Sequence, residues 1–247
     1  IIDRRIRDFL KRCNPLEPEQ GGFVSHRGTT EQFFVLQELI LGCPESLVAF
    51  IDIKSAFDRC QRPFLYTKLW DRGIKTKIFR LIMNVYDCTD AKMRDLYTEE
   101  LLNVLCGVRE GGNSSPLFFN IFFNDLITEL KEAGVGTAVA GLIMCCLFYA
   151  DDIVLIAQTP QKLQILLDIC YKYGQRFHMS FGTDKCEVVV GVEADQTFRQ
   201  HQWTLGRTKL KVVDYYKYLG IEIGGGGVDF KSYFERMEKK FWKRLNT

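Results

Sequence analysis

Apolar runs without polar alternation mark three segments of the chain, at residues 47–51, 143–147 and 153–157. Runs of this length and composition predict strands that are buried on both faces of a sheet. Between the second and third runs, Ala150 to Asp152 places a small residue before two adjacent acids. This order of strand, tight turn and strand predicts a hairpin that carries both carboxylates at its tip.

The first apolar run also ends in an acid, Asp52. One sheet that carries all these runs would place Asp52, Asp151 and Asp152 together. Burying carboxylates is unfavourable unless cations or hydrogen-bond donors neutralise them. Since no basic residue stands beside these acids in the sequence, the pattern indicates a divalent-metal site. A solvated turn is the alternative for an isolated Ala-Asp-Asp, and the apolar flanks argue against it.

Helices are predicted in much of the remaining sequence by apolar residues at spacings of three and four. They are expected at 1–13 (with Ile1, Ile6, Phe9 and Leu10 inward), 29–41, 63–70, 76–87, from Ser114-Ser115-Pro116 to at least Leu126, 160–177 and 230–245. Further strands are expected at 187–190, 208–213 and 217–223, with a weaker hairpin in 93–105 around Glu99 and Glu100. Gly224 to Gly227 is interpreted as a hinge-like linker.

The composition allows a sizeable core, whereas the net charge does not indicate which partner the protein binds. The 247 residues are 47% hydrophobic, enough for a core that divides into subdomains. A formal net charge of +2 neither demands nor excludes a nucleic-acid partner. Basic residues cluster at 3–7 and, with aromatic residues interleaved, at 239–244. The second cluster suits a phosphate backbone and stacked bases, although a solvated amphipathic helix explains it about as well.

The nine cysteines are scattered and form no C-x-x-C pair, so neither a zinc site nor a disulfide framework is supported. We expect them to be reduced, small core residues of an intracellular protein. The sequence contains no signal peptide and no apolar run long enough to cross a membrane, so no membrane partner is expected. Because the chain starts at Ile1 rather than at methionine, we expect a fragment of a longer protein.

Six sequence motifs, in the same order, resemble those of reverse transcriptases. They are Gln20 to Gln32 in the fingers, Phe50 to Asp58 with the first carboxylate, Gly107 to Asn120 at the nucleotide loop and helix, Phe148 to Asp152 with the paired carboxylates, Lys185, and Tyr218 to Ile221 at the primer grip. The fingers motif is similar to that of non-LTR (LINE-type) retrotransposon enzymes, which are related to group II intron reverse transcriptases. The resemblance covers nearly the whole chain.

The resemblance implies an α+β right-hand polymerase fold. Its palm would be an antiparallel sheet backed by helices, with helical fingers and a truncated thumb. The implied divisions are fingers at 1–46 and 61–106, palm at 47–60 and 107–227, and the start of the thumb at 228–247.

The implied function is RNA-directed DNA synthesis, in which dNTPs are added to a primer 3′-hydroxyl by two-metal phosphoryl transfer. The implied catalytic residues are Asp52, Asp151, Asp152 and Lys185, and the implied metal ligands are Asp52, Ile53, Asp151 and Asp152. Asp52 and Asp151 would hold two Mg²⁺ ions about 4 Å apart, for which Mn²⁺ can substitute. Asp152 would help mainly through its charge, and Lys185 would protonate the leaving pyrophosphate.

Substrate contacts are implied for Arg27, Phe57, Glu110, Gly111, Tyr149 and Ala150, and a primer grip for Tyr218, Leu219, Gly220 and Ile221. Phe57 stands where the family has its steric gate, a ring that excludes a 2′-hydroxyl; a core phenylalanine is the alternative. Arg27 would clamp phosphate oxygens, against the alternative of a surface arginine. For Lys185 the alternative is a solvated loop lysine, and for the primer grip it is a core strand. Glu110 replaces the usual glutamine and Gly182 a frequent asparagine, which puts nucleotide affinity in question.

The expected partners are an RNA template, a DNA primer and dNTPs, with an endonuclease domain as a further expectation elsewhere in a full-length polyprotein. The expected locations are the nucleus at the site of integration and the cytoplasm as a ribonucleoprotein. Two rival functions stay open. A non-catalytic nucleic-acid-binding scaffold is favoured by Glu110 and the short thumb but opposed by the three intact aspartates. A metal nuclease would use the same acids, but it has no purpose for a steric gate at Phe57.

Overall fold

A five-stranded sheet lies at the centre of the molecule. The computed structural model describes residues 2–87, 90–94, 99–103, 106–109, 111–139, 141–228 and 230–245. The strands of the sheet follow the order β11 (Lys211–Val213), β8 (Glu187–Val190), β1 (Leu47–Asp52), β7 (Asp152–Ala157) and β6 (Cys146–Tyr149). Neighbouring strands are antiparallel, except that β11 joins β8 in parallel. The predicted antiparallel sheet is therefore confirmed, with one parallel strand at its edge.

Helices pack around this sheet at nearly the predicted positions. In the described part of the chain the α-helices are α1 (Ile2–Cys13), α2 (Thr29–Gly42), α3 (Ala56–Arg59), α4 (Arg62–Asp71), α5 (Thr76–Asp87), α6 (Ser115–Glu132), α7 (Pro160–Arg176) and α8 (Phe230–Leu245), with a 3₁₀ helix at Gln196–Gln200. Helix α3 was not predicted, because a single turn has no apolar periodicity. Ile6 and Leu10 of α1 are buried as expected, and Phe9 is partly buried, while Ile1 lies outside the described residues. No helix within these ranges is long and apolar enough to span a bilayer.

Alternate residues of β1 face two different hydrophobic clusters. Leu47, Ala49 and Ile51 belong to the cluster that contains the inner faces of α4, α6 and α7. Val48 and Phe50 belong to the cluster that contains the inner face of α2 and residues Tyr218 and Ile223. Strand β7 alternates in the same way. Since both sheet faces are buried, neither strand shows polar alternation, as the apolar runs at 47–51 and 153–157 predict.

The prediction of a buried strand at 143–147 is wrong at its start. Leu142–Met144 is β5, which pairs with β4 (Thr137–Val139) in a separate hairpin, and Ile143 is 59% exposed. The central sheet takes up the chain only from Cys146 onwards. Hydropathy did not reveal this break, because the apolar run continues across the point at which the chain leaves one sheet for another.

Three further predictions near the end of the chain need correction. The stretch 208–213 is divided between β10 (Thr208–Lys209), which pairs with β9 (Thr204–Leu205), and β11. The stretch 217–223 is a hairpin of β12 (Tyr215–Tyr218) and β13 (Ile221–Gly224). Gly224 to Gly227 is not a linker, because it turns the chain from β13 into β14 (Gly227–Val228). A Cβ atom on Gly225 would lie 2.1 Å from the Val190 carbonyl oxygen, so the glycines allow this turn to pack tightly.

The weaker hairpin is confirmed, but its turn is placed differently. Strands β2 (Asp90–Arg94) and β3 (Glu99–Asn103) pair antiparallel. Glu99 and Glu100 lie opposite Arg94 and Met93, so they belong to the second strand and not to the turn. Most cysteines within the described ranges are buried free thiols, which agrees with a role as small core residues.

Candidate active site at the β6–β7 turn

Two residues, Ala150 and Asp151, form the turn between β6 and β7. Tyr149 and Asp152 are the pair of facing residues that closes it. Ala150 has a φ of 57°, in the left-handed region that residues with a Cβ atom rarely adopt. The structure therefore contains the hairpin that the sequence predicts, with an unfavourable backbone conformation directly before its two carboxylates.

Asp52, Asp151 and Asp152 lie at the same end of neighbouring strands. Strands β1 and β7 pair as far as Asp52 and Asp152, which stand opposite each other, and Asp151 precedes Asp152 in the turn. The structure thus brings together the three acids that the sequence singles out. In the described part of the chain, no three Asp, Glu, His or Cys side chains form a ready-made metal site.

Burial and mutual repulsion shape the titration of these carboxyls. Burial raises the pKa of Asp152 to about 6, and the negative charges of Asp151 and Asp52 add to this effect. Burial also raises the pKa of Asp151, with a further contribution from Asp52. A raised carboxyl pKa means that the site disfavours negative charge unless a cation is close by. The Lys185 ammonium offsets part of both shifts.

Lys185 and Gly182 both adjoin Asp52. Lys185 Nζ lies 3.5 Å from Asp52 Oδ1, although the lysine side chain is two-thirds exposed. The Gly182 amide donates a hydrogen bond of 2.9 Å to the Asp52 carbonyl oxygen. A Cβ atom at position 182 would lie 2.3 Å from Asp52 Oδ2, so only glycine leaves this carboxylate where it is. The asparagine that is frequent in the family would therefore not fit at position 182 in this structure.

The residues present suit a hard divalent cation. Carboxylate oxygens are the ligands that Mg²⁺ and Mn²⁺ prefer, and burial with mutual repulsion, which raises the pKa of Asp151 and Asp152, favours a cation at this place. Ile53 has no side-chain ligand atom, so only its carbonyl oxygen is a candidate. Ile53 and Phe181 form an isolated antiparallel β-bridge. Its two hydrogen bonds run from Lys54 N to Ser180 O and from Gly182 N to Asp52 O. The Ile53 carbonyl takes no part in this bridge.

Phe57 packs on the helix that follows the nucleotide loop. Its ring is stacked on Phe119 of α6, with 4.3 Å between centroids and 6° between planes, and it meets the edge of Phe23. The Phe57 carbonyl oxygen accepts a hydrogen bond from Val108 N. The side chain is half-buried. These contacts agree with the alternative of a core phenylalanine, and the steric-gate role of this half-buried side chain stays a prediction.

Hydrogen bonds to one backbone carbonyl oxygen hold the loop that precedes α6. Gly112 N and Ser115 Oγ both donate to the Arg109 carbonyl oxygen, at 3.1 and 2.6 Å. Ser114 is the N-cap residue, but its side chain makes no capping hydrogen bond. Gly111 has a positive φ of 70°, which glycine adopts without strain. Glu110, the residue that departs from the family pattern, lies outside the described residues.

Arg27 makes local contacts. It donates to the Pro18 carbonyl oxygen, and its Nε lies 3.3 Å from Glu31 Oε1. The predicted primer grip is the tip of the β12–β13 hairpin, where Leu219 and Gly220 both have positive φ, as a two-residue type I′ turn requires. Tyr218 and Ile221 close that turn, and Tyr218 is buried against Phe50. Phosphate and primer contacts at these positions stay predictions.

Two residues near the site were given no individual role in the sequence analysis, although Gln20 belongs to the fingers motif. Cys186 is buried directly after Lys185, and its Sγ accepts a hydrogen bond of 3.3 Å from Asp52 N. Gln20 is buried, and its side chain contacts both backbone polar groups of Ala150. The motif from Gln20 to Phe23 pointed to this region, but local sequence gives no sign that the glutamine reaches a turn 130 residues away.

Central antiparallel strands that end in three aspartates, with helices packed behind them, define the palm of a right-hand polymerase. Residues 1–223 match the family "Reverse transcriptase (RNA-dependent DNA polymerase)", and the chain belongs to this family. The predicted fold and family are thus confirmed. Members of this enzyme family depend on divalent metal ions in general.

Similar proteins agree with the predicted non-LTR class. The chain is 25% identical over 224 residues to the "Retrovirus-related Pol polyprotein from type-2 retrotransposable element R2DM" of Drosophila melanogaster, with 85% of this chain and 21% of that protein covered. It is 25% identical over 243 residues to the "RNA-directed DNA polymerase from mobile element jockey" of the same species, with 90% and 25% covered. The chain thus spans about a fifth to a quarter of these relatives. The relation to group II intron enzymes stays a prediction.

Solved structures support the fold. Apo telomerase from Candida tropicalis superposes with a TM-score of 0.66 at 10% sequence identity, over 92% of this chain and 40% of that one. Telomerase from Candida albicans, in complex with a fragment of telomeric RNA, gives a TM-score of 0.60 at 13% identity, over 90% and 35%. At these identities the likeness concerns the fold alone.

Proposed function

We propose that this chain is the catalytic core of an RNA-directed DNA polymerase, which adds dNTPs to the 3′-hydroxyl of a primer paired with an RNA template. The observation that carries the proposal is the position of Asp52, Asp151 and Asp152 at one end of β1 and β7. Family membership and the similarity to the R2 and jockey proteins support the choice of reaction. A DNA primer and dNTPs are the substrates that this reaction requires.

The donor set supports Mg²⁺ as the metal, with Mn²⁺ as a substitute, because all its side-chain ligands are carboxylates. Two such ions, when bound, activate the primer hydroxyl and neutralise charge on the triphosphate. Asp52 and Asp151 would hold them, with the Ile53 carbonyl oxygen as a further ligand. Asp152 would add negative charge that draws the cations to the site.

Other residues of the chain would act on the substrates directly. Lys185 would leave Asp52 and donate a proton to the departing pyrophosphate, since its exposed side chain is free to swing. The exposed part of Phe57 would exclude a 2′-hydroxyl from the nucleotide site. Arg27 would exchange its contact with Glu31 for phosphate oxygens, and the tip at Leu219 and Gly220 would support the primer backbone.

Primer extension on an RNA template tests the proposal. In the presence of Mg²⁺ and dNTPs, Asp151→Asn should abolish extension while affinity for the primer–template duplex stays largely intact, because only a metal ligand is removed. Asp168→Asn is the matched control, since Asp168 is an exposed aspartate of α7 that accepts a hydrogen bond from Gln164 Nε2. That variant should extend primers at the wild-type rate.

Two outcomes would count against the proposal. Undiminished extension by a pure sample of Asp151→Asn would refute the metal-ligand assignment. A wild-type chain that binds the duplex but never extends it, with either metal, would favour the rival function of a non-catalytic scaffold.

A further inference from the structure

A short segment of the fingers motif lies along the edge of the catalytic hairpin. Strand β6 is the last strand on its side of the sheet, and residues 19–21 run beside it in parallel. Phe148 N donates to the Glu19 carbonyl oxygen at 2.9 Å, and Gly21 N donates to the Phe148 carbonyl oxygen at 2.8 Å. These bonds end two residues before the turn at Ala150. The Gln20 side chain spans the remaining distance to the turn.

The Gln20 side chain makes the final contacts. Its Oε1 accepts hydrogen bonds from Ala150 N at 3.0 Å and from Gly22 N at 2.8 Å. Its Nε2 donates to the Ala150 carbonyl oxygen at 3.4 Å. One carboxamide thus holds both backbone polar groups of a single turn residue. With only 3% of its surface exposed, Gln20 makes these bonds away from competing water.

The surrounding backbone leaves Gln20 little freedom. A Cβ atom on Gly22 would lie 2.2 Å from Ala150 N, so the two backbones are in close contact. The Gly22 carbonyl oxygen accepts a hydrogen bond of 2.8 Å from Asn120 Nδ2 on α6. The glutamine is therefore fixed between the turn and a helix of the core.

The turn needs such support. A non-glycine residue with positive φ carries a conformational cost and persists only where neighbouring groups hold it. Ala150 is such a residue, and Asp151 follows it directly. A relaxed Ala150 would rotate the next peptide unit and move the Asp151 carboxylate. Small displacements of this kind lower catalytic rates strongly.

We propose that Gln20 is a positioning residue, which holds Ala150 in its left-handed conformation and thereby sets the place of the Asp151 and Asp152 carboxylates. This role rests on the proposed polymerase function for its effect on rate, whereas its effect on the turn is independent of activity. The fingers motif and the catalytic hairpin are then one unit, joined by a single buried side chain.

Amide exchange of the whole 247-residue chain tests the contact without any activity measurement. Gln20→Met keeps the size of the side chain but removes all three hydrogen bonds. In protein labelled with ¹⁵N-alanine, the Ala150 amide should exchange about fivefold faster or more, as expected for a lost hydrogen bond. Gln32→Met is the matched control, because Gln32 is equally buried and donates to the Phe148 carbonyl oxygen, but makes no hydrogen bond to Ala150 within the described residues. It should leave Ala150 exchange unchanged.

Single-nucleotide incorporation tests the consequence. Gln20→Met should lower kcat about tenfold to a hundredfold, with the KM for dNTP little changed, because the carboxylates are misplaced while the nucleotide site remains. Gln32→Met should lower kcat far less, since the Phe148 carbonyl oxygen keeps its hydrogen bond from Gly21 N. Adding Ala150→Gly to Gln20→Met should restore part of kcat, because glycine adopts positive φ without strain.

The proposal would be overturned if Gln20→Met and Gln32→Met lowered kcat equally, or if the Ala150 amide of Gln20→Met exchanged at the wild-type rate. No gain from Ala150→Gly would overturn it as well, since relief of strain at Ala150 is its central point. If Gln20→Met does not fold, the experiment uses Gln20→Asn, because the shorter asparagine side chain cannot reach Ala150. A wild-type chain that fails to extend primers would refute the polymerase function, yet the exchange measurement would still decide the role of Gln20.

Discussion

Replacement of Asp152 by asparagine should stabilise the metal-free protein at neutral pH. Burial, with the charges of Asp151 and Asp52, raises the pKa of Asp152 to about 6 in the folded chain, whereas an unfolded aspartate has a pKa near 3.9. The folded state thus binds this proton more tightly than the unfolded state. The free energy of unfolding therefore falls as the pH rises from about 4 to about 6, and above about pH 6 the full penalty is present; it vanishes below about pH 4, where both states are protonated.

The size of the effect follows from the shift. About two pKa units at ~1.4 kcal/mol each give an upper limit of about 3 kcal/mol. Solvent reaches this half-buried carboxyl and screens its repulsions, so we expect about 1–3 kcal/mol. For a chain of this size, 1 kcal/mol corresponds to about 2–4 °C in Tm. Asp152→Asn should therefore raise Tm by about 3–10 °C when the pH is near neutral and no divalent cation is present.

Thermal unfolding in EDTA, followed by circular dichroism near neutral pH and again below about pH 4, measures this difference. Asp168→Asn is the control for losing an exposed carboxylate, and its Tm should follow the wild type at both pH values. Added Mg²⁺ should stabilise the wild type more than Asp152→Asn, because binding to the folded state adds stability and the variant has one negative charge fewer. The gap in Tm should then narrow.

A destabilised Asp152→Asn near neutral pH would refute this reasoning, since it would mean that the carboxylate makes favourable contacts which the raised pKa does not reflect. A gain of equal size below about pH 4 would refute it too, because repulsion between carboxylates is absent there. Either result would also weaken the case that the three acids need a cation.

Two further predictions concern neighbours of Asp52. Gly182→Ala should displace the Asp52 carboxylate, because the new Cβ would begin 2.3 Å from Oδ2, and should lower the extension rate about tenfold or more with little change in Tm. Gly42→Ala is its control, since a Cβ there meets only Val139 Cγ1 at 3.7 Å; equal rates for both variants would show that Asp52 adapts without loss. Phe57→Val should raise kcat/KM for a matched rNTP relative to the dNTP about tenfold or more, whereas Phe64→Val, a partly buried control on α4, should not. An unchanged ratio for Phe57→Val would leave that ring as a core residue only.

The elements of the site with strong local patterns were predictable from sequence. Asp52 ends one apolar run, and Asp151 and Asp152 lie between two others; such runs indicate strands that are buried on two faces. Helix positions followed from the spacing of apolar residues, which is a property of neighbouring turns. In each case the deciding information lies within about ten residues.

Features that depend on distant residues were not predictable in this way. The apolar run at 143–147 does not show where the chain changes sheets, because Ile143 and Leu147 are equally apolar. Gly224 to Gly227 has the composition of a linker, and only the approach to Val190 shows why a tight turn needs those glycines. The contact between Gln20 and Ala150 likewise joins distant parts of the sequence. Only the folded chain reveals these relations.

The place of β1 between β7 and β8 also has a consequence for synthesis on the ribosome. Its two partners begin at Asp152 and Glu187, about 100 and 135 residues after β1 ends at Asp52. At about 5–20 residues per second, the second partner is made roughly 7–27 s after β1. Until β7 is made, this strand, which is apolar on both faces, has neither neighbour, and until β8 is made it still lacks one; such strands pair readily with those of other chains. We expect nascent chains of this length to require a chaperone until β8 has left the ribosome.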